Sequence, residues 1–267
     1  MTHFLLQFVG YLATGLVAGT IAGLFGIGGG IVIVPALLFA FHLDGINPVI
    51  SMQLAVGTSL STIIFTNLFA AWNHQRRGAI HWEMVRRYTP WVLLGAWLGT
   101  KLATIVDGET LRTLFGLFEI SLGIRMLRTP PDNATLLTKE PTANPFVAMG
   151  IGTLSTLFGV GGGTMLVPAL TLLSGLTIYQ AIGSASAIGA MLAMAGTTGM
   201  IHAGWGNNAL PPGTLGFVVP LAALGVIIGT LTTVPVGVRL AHKTESNLLR
   251  RGFGVLLLLV GIKFLWR

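Results

Sequence analysis

The sequence predicts an all-α integral membrane protein made of two related halves in opposite orientations. Three observations carry that prediction. First, the chain of 267 residues is 53% hydrophobic and only 9% charged, with a mean hydropathy of +0.81. A soluble domain carries about 25% charged residues. Second, one phrase occurs twice: GLFGIGGGIVIVPAL from Gly23 to Leu37, and TLFGVGGGTMLVPAL from Thr156 to Leu170, 133 positions apart. A repeat at half the chain length, set among apolar runs, points to duplication of a membrane unit. Third, equivalent loops of the two halves carry opposite charge bias, as set out below.

Each half gives the same series of apolar segments. The first reads Phe4–Phe25, Ile31–Phe41, Ser51–Trp72, Tyr88–Val106 and Leu111–Leu127. The second reads Pro145–Phe158, Thr164–Leu173, Tyr179–Ile201, Leu215–Leu240 and Leu248–Trp266. The match runs beyond the phrase: Gly57 pairs with Gly183, Gly95 and Gly99 with Gly225 and Gly229, and Phe115-Gly116 with Phe253-Gly254. This divides the chain into a first repeat over 1–128, a polar cytoplasmic linker over 129–144 and a second repeat over 145–267. The first segment lacks a basic leader and a small-residue cleavage site, so it is expected to be retained.

The segments after the glycine triplets are too short to span, since a crossing takes about 20 residues. Each opening pair therefore reads as a broken or re-entrant hairpin, giving 8–10 helical membrane segments in all. Such breaks survive only where protein or a water-lined cavity satisfies the freed backbone.

Loop charge sets the orientation. Arg76, Arg77, Arg86 and Arg87 follow or flank the third segment of the first half, whereas its counterpart, His202 to Thr214, has no Lys or Arg. In the next loop the bias reverses: Asp107 and Glu109 dilute Lys101 and Arg112, while the second half has Arg239, Lys243, Arg250 and Arg251. Opposite bias at equivalent loops implies inverted repeats, with the Arg76–Arg77 loop, the linker and the Lys243 loop in the cytoplasm. The net charge of +7 follows from the same rule. The basic residues lie scattered between apolar segments, which gives no face for nucleic acid.

Two copies of an LFG(I/V)GGG-x-x-x-VPAL phrase in a chain of this length and hydropathy resemble the sulfite exporter TauE/SafE family of anion transporters. The resemblance covers nearly the whole chain. It implies a multi-pass carrier in a bacterial-type inner membrane, moving sulfite, organosulfonates such as sulfoacetate, or related small organic anions. No cofactor is expected, and a homodimer is compatible with it.

The residues themselves fit an anion. Gly28-Gly29-Gly30 and Gly161-Gly162-Gly163 each precede a short helix, whose first N–H groups and dipole favour negative charge. The alternative is that the glycines only allow tight turns and close helix contact. Pro35 and Pro168 read as kinks within the short helices.

The third segments carry polar residues on one side: Gln53, Thr58, Ser59, Ser61, Thr62, Thr66 and Asn67 in one, Gln180, Ser184, Ser186, Thr197 and Thr198 in the other. These can bind an oxyanion or simply bond neighbouring helices. Thr58, Ser59 and Ser184, next to the paired glycines, and Thr164, next to the second triplet, are the substrate-binding candidates. Asn73, His74 and His202 end the third segments, where a histidine can bind an anion, carry a proton or simply face water. Glu119 is a carboxylate deep within LFGLFEISLGIRM, and such a residue is a functional-site hypothesis by default. It reads either as a proton-coupling group or as a structural partner of Arg125.

Gly95 and Gly99, Gly225 and Gly229, and Gly15, Gly19 and Gly23 have the spacing of close helix contacts. Trp72, Trp82, Trp91, Trp205 and Trp266 fall near segment ends, as an interfacial belt does. Three functions compete: a secondary anion carrier, an anion channel, and an intramembrane enzyme. The third lacks support, since there is no H-E-x-x-H, no G-x-S-x-G and no P-loop, and no cysteine for thiol chemistry or thiolate metal sites. A carrier for carboxylates without sulfur stays open.

Overall fold

In a computed structural model of the chain, which describes residues 2–25, 29–128, 144–242 and 246–266, ten α-helices account for the ten expected segments. The first half holds α1 (Thr2–Phe25), α2 (Gly30–Leu43), α3 (Pro48–Arg76), α4 (Trp82–Ile105) and α5 (Gly108–Arg128). The second holds α6 (Pro145–Leu157), α7 (Gly163–Leu172), α8 (Ile178–Gly204), α9 (Pro220–His242) and α10 (Ser246–Leu265). Most of the linker and Lys243 fall outside the described residues, as does Gly28. Four helices, α1, α3, α8 and α9, are long and apolar enough to cross a membrane. At 1.5 Å per residue, α2 and α7 are only about 21 Å and 15 Å long.

Local chemistry sets the helix starts. Asn47 caps α3 by accepting from Val49 N at 3.0 Å, with Pro48 in the first turn. Asn144 caps α6 through Phe146 N and Val147 N. Thr177 and Gln180 form a reciprocal capping box on α8, a pairing that satisfies donors at both positions. Asp107 Oδ1 accepts from Thr110 N at 2.9 Å at the start of α5. That hydrogen bond holds the Asp107 carboxyl below the usual range.

The ninth segment starts later than its hydropathy suggests, at Pro220 rather than Leu215. Leu215 and Val218 exchange backbone hydrogen bonds at 2.8 and 3.1 Å. That closes a tight turn, which Pro211 and Pro212 keep from joining a helix. Trp91 also departs from expectation: it lies well inside α4, on an exposed face, rather than at a segment end.

The helices pair in a pattern that is unchanged when the halves are exchanged. α1 lies beside α9 and α6 beside α4, while α3 pairs with α8 and α5 with α10. Small residues let the backbones meet, as they do where lipid removes the hydrophobic drive for helix association. Gly15 faces Val226 and Gly19 faces Thr230, so α1 and α9 run parallel. The α3 and α8 pair runs antiparallel, with Leu60 at Gly196, Asn67 at Gly189 and His74 at Gly183. α5 and α10 are antiparallel as well, Gly116 meeting Gly261 and Gly123 meeting Gly254. Gly15, Gly19, Gly95, Gly99, Gly225 and Gly229 thus serve contacts within the chain, while the surroundings of Gly23 lie outside what is described.

The outer end of each short helix is tied by a tyrosine. Tyr11 on α1 donates to Asp44 Oδ2 at 2.5 Å, just past α2. Tyr88 on α4 shares a 2.9 Å hydrogen bond with Ser174, just past α7. Large apolar side chains such as Leu6, Trp97, Ile105 and Leu259 remain on the outside, where a membrane would cover them.

Candidate functional site: two glycine breaks in contact

The site is built where two helices begin inside the bundle. Gly29 holds φ at 78° before α2, and Gly162 holds φ at 80° before α7. A residue with a side chain is strained in that left-handed region. Neither helix start has a side-chain cap, whereas α3, α4, α6 and α8 all do. The first carbonyl reached is that of Gly29, bonded by Val32 N and Ile33 N, and in α7 that of Gly162, bonded by Met165 N and Leu166 N. The N–H groups of Gly30, Ile31, Gly163 and Thr164 therefore precede the first helical acceptor. Pro35 and Pro168 stand inside α2 and α7, and both helices continue through them.

The two breaks touch. A methyl group placed on Gly30 would lie 2.6 Å from Val160 Cα and 2.7 Å from Gly159 O. α3 runs alongside and holds the second break with one face. Ser59 Oγ donates to Gly159 O at 2.8 Å, and Asn67 Nδ2 reaches Gly161 O at 3.5 Å. Between them Ile63 packs on Gly161, while Gly189 of α8 closes over Gly161 O from the other side.

The structure brings Gly29, Gly30, Ser59, Gly161 and Gly162 together, with Gly163 and Thr164 following on α7. Thr58 and Ser184 take a different part. Thr58 Oγ1 accepts from Val219 N at 3.0 Å, and Ser184 Oγ accepts from His81 N at 2.9 Å. Each hydroxyl of one half thus anchors the backbone just before a helix of the other half, α9 or α4. Gly57 and Gly183, one residue earlier, make room for the same segments at Phe217 and Ala79.

His74 and His202 lie at opposite ends of the antiparallel α3–α8 pair, away from the breaks. Asn73 Nδ2 donates to Phe69 O at 2.9 Å, within its own helix. Glu119 is fully buried, and both carboxyl oxygens lack a partner among the described residues. The expected alternative, a pair with Arg125, is not formed: Arg125 is exposed, lining a cleft of about 400 Å³ with Phe118 and Thr164.

Sequence reasoning passed over two residues beside the break. Ser155 and Thr156, at the end of α6, are fully buried, and their hydroxyl oxygens, like those of Thr164 and Thr197, have no partner among the described residues. The signal lies in the repeat itself. Ser155, Thr156 and Thr164 occupy the places of Ala22, Gly23 and Ile31, so the second copy alone is lined with hydroxyls. Thr156 reaches Gly99 of α4 and Gly196 of α8, at the junction of three helices.

A family model for sulfite exporter TauE/SafE proteins matches residues 11–264. The chain belongs to this family. TauE/SafE membership agrees with the resemblance read from the repeated phrase, and makes the protein one of a family of membrane transporters. A "probable membrane transporter protein" of Haemophilus influenzae is 34% identical over 94% of this chain and 95% of its own length. A protein of the same description from Xylella fastidiosa is 31% identical over 96% and 94%. The Bacillus subtilis "probable membrane transporter protein YunE" is 25% identical, covering 98% of each chain. No solved structure matches the chain significantly.

Proposed function

We propose that this TauE/SafE protein is a secondary carrier of small anions, taking sulfite, organosulfonates such as sulfoacetate, or related organic anions across a bacterial inner membrane. The observation that carries the reading is the contact of the α2 start, at Gly30, with Gly159 and Val160 of the second glycine break, both short helices starting without a side-chain cap. Each break leaves its first helical N–H groups unbonded within the helix, at the positive end of a helix dipole, features that suit an oxyanion without a fixed cationic partner. The hydroxyls of Thr164, Ser155 and Thr156 add neutral donors on the second side, and Ser59 holds the break in shape.

Alternating access between inverted halves would open this site to either side in turn. The antiparallel courses of α3 against α8 and α5 against α10 support the inversion, because each pair joins equivalent helices of the two halves. The arginines after α3 support a cytoplasmic placement of the Arg76–Arg77 loop.

The test is counterflow in proteoliposomes. Vesicles loaded with unlabelled anion are diluted into labelled sulfite, sulfoacetate, sulfolactate, sulfate or acetate. A carrier accumulates label transiently against its gradient, with saturation. Rapid, non-saturating equilibration without overshoot would mark a channel instead, and acetate alone giving overshoot would move the substrate class to carboxylates without sulfur.

A further inference from the structure

We propose that Glu119 is a proton site coupled to anion movement through the second glycine break. The inference rests on the carrier reading above and adds a coupling group to it.

Glu119 sits on the face of α5 that carries Leu111 and Phe115, all three fully buried. Its carboxyl oxygens have neither a hydrogen bond nor an ion pair among the described residues. Among the described residues, no charged group pairs with it. On α5 itself, Arg112 lies over the Phe264 ring at 5.5 Å, and Arg125 and Arg128 are exposed. α3 carries no ionisable residue before His74 at its far end, and α6 and α7 carry none at all. On α10, Arg251 is exposed and Lys263 lies over the Phe39 ring at 5.7 Å; the side chain of Arg250 lies outside the described residues. An ionised carboxylate without a partner costs several kcal/mol at such a place. A carboxyl group carrying its proton does not incur that cost.

The aromatic residues just before Glu119 connect its turn of α5 to the site. Phe158 is the last residue before the second break, and its ring stacks on Phe118 at 4.8 Å and meets Phe115 edge-on at 5.8 Å. Both rings precede Glu119 on α5: Phe115 lies one turn before it on the same buried face, and Phe118 is its immediate neighbour. Phe118 also lines the cleft that Thr164 and Arg125 share. The aromatic stack therefore links the α5 turn that ends in Glu119 to Phe158 at the second break and, through Phe118, to the cleft at the start of α7. A shift of the break that moves Phe158 would let water reach Glu119. The proton then passes from carboxyl oxygen to water, and returns before the stack closes again. No bond to the transported anion forms or breaks.

Sulfoacetate is the suitable probe, because both its acidic groups are ionised near neutral pH, so any pH change arises from the protein. Wild type, Glu119→Gln and Glu119→Asp are purified, checked for equal elution profiles and placed in vesicles containing a pH-sensitive dye. Wild type should move protons with net sulfoacetate flux. Glu119→Gln should keep sulfoacetate exchange while coupled proton movement falls to background, and Glu119→Asp should restore it with a displaced pH profile. Infrared spectra at neutral pH should show a protonated carboxyl band in wild type that Glu119→Gln removes. This band reports the protonation state without depending on transport, while loss of proton movement with exchange retained is the readout that a merely structural role would not give. Proton movement unchanged in Glu119→Gln, or no such band in wild type, overturns the inference and leaves the carrier reading intact. Wild type inert in exchange with every anion of the panel overturns the carrier reading, and coupling falls with it.

Discussion

Gly30, the first residue of α2, lies directly against Val160, so that even a methyl group on Gly30 would come within 2.6 Å of the Val160 Cα. The neighbour is backbone, which cannot rotate away. Gly30→Val should therefore push the two breaks apart and destabilise the protein by about 1–3 kcal/mol, the usual cost of overpacking. A thermal melt in detergent measures it. A melting temperature equal to wild type would show that the breaks are not in contact.

Gly162 separates shape from strain. Its φ of 80° is unfavourable for any residue with a side chain, by roughly 1–2 kcal/mol. Gly162→Ala should show that backbone cost with a modest loss of anion binding. In either variant the added Cβ stands 2.9 Å from Leu166 Cδ1; Gly162→Leu adds three further carbons at this crowded position and should abolish transport in protein that still elutes as a folded species. Normal transport by Gly162→Leu would remove the backbone anion site from the account.

The cross-half anchors predict additivity. Thr58→Val leaves Val219 N–H without its acceptor, and Ser184→Ala does the same to His81 N–H. Each should cost about 0.5–1.5 kcal/mol, the usual net worth of an intramolecular hydrogen bond, since both donors belong to half-buried residues. The two sites lie towards opposite ends of the α3–α8 pair, so the double variant should lose the sum to within about 0.5 kcal/mol. Coupling well beyond that in thermal melts would contradict independent anchors.

Asp107 offers a pH test outside the membrane segments. Its carboxyl is held below the usual range by the Thr110 backbone N–H, so the stability it contributes is present above its unfolded pKa. That contribution fades as pH falls through the lower folded value. Asp107→Asn keeps a capping oxygen but should lose this acid-limb dependence in melts across the carboxylate range. An unchanged acid limb would show that the cap does not depend on charge.

Much of this architecture was legible because hydropathy and the duplicated phrase are one-dimensional signals. All ten segments appear, and the short pair after the glycines was predictable from length alone. The pairing of α1 with α9 and of α4 with α6 was not, because spaced glycines mark a contact surface without naming its partner. The start of α9 was misjudged because the apolar residues 215–219 form a turn seated on Gly57 rather than a helix. In the site, Gly29, Gly30, Gly161 and Gly162 came from the phrase itself. Thr58 and Ser184 were read as substrate-binding candidates from their places beside the paired glycines, whereas their hydroxyls anchor backbone at helix starts. Ser155 and Thr156 were passed over because a hydroxyl in a membrane helix usually bonds its own backbone; only comparison with Ala22 and Gly23 sets them apart.

The central claim is that an oxyanion binds at the paired helix starts. The most direct measurement is the thermal stability of purified wild type and Gly162→Leu with sulfite, sulfoacetate, sulfolactate, sulfate or acetate. The account predicts that a sulfur oxyanion stabilises wild type, by about 2.7 kcal/mol at a concentration one hundred times its Kd, and leaves Gly162→Leu unmoved. Equal stabilisation of both proteins, or none of wild type by any of these anions, would contradict it.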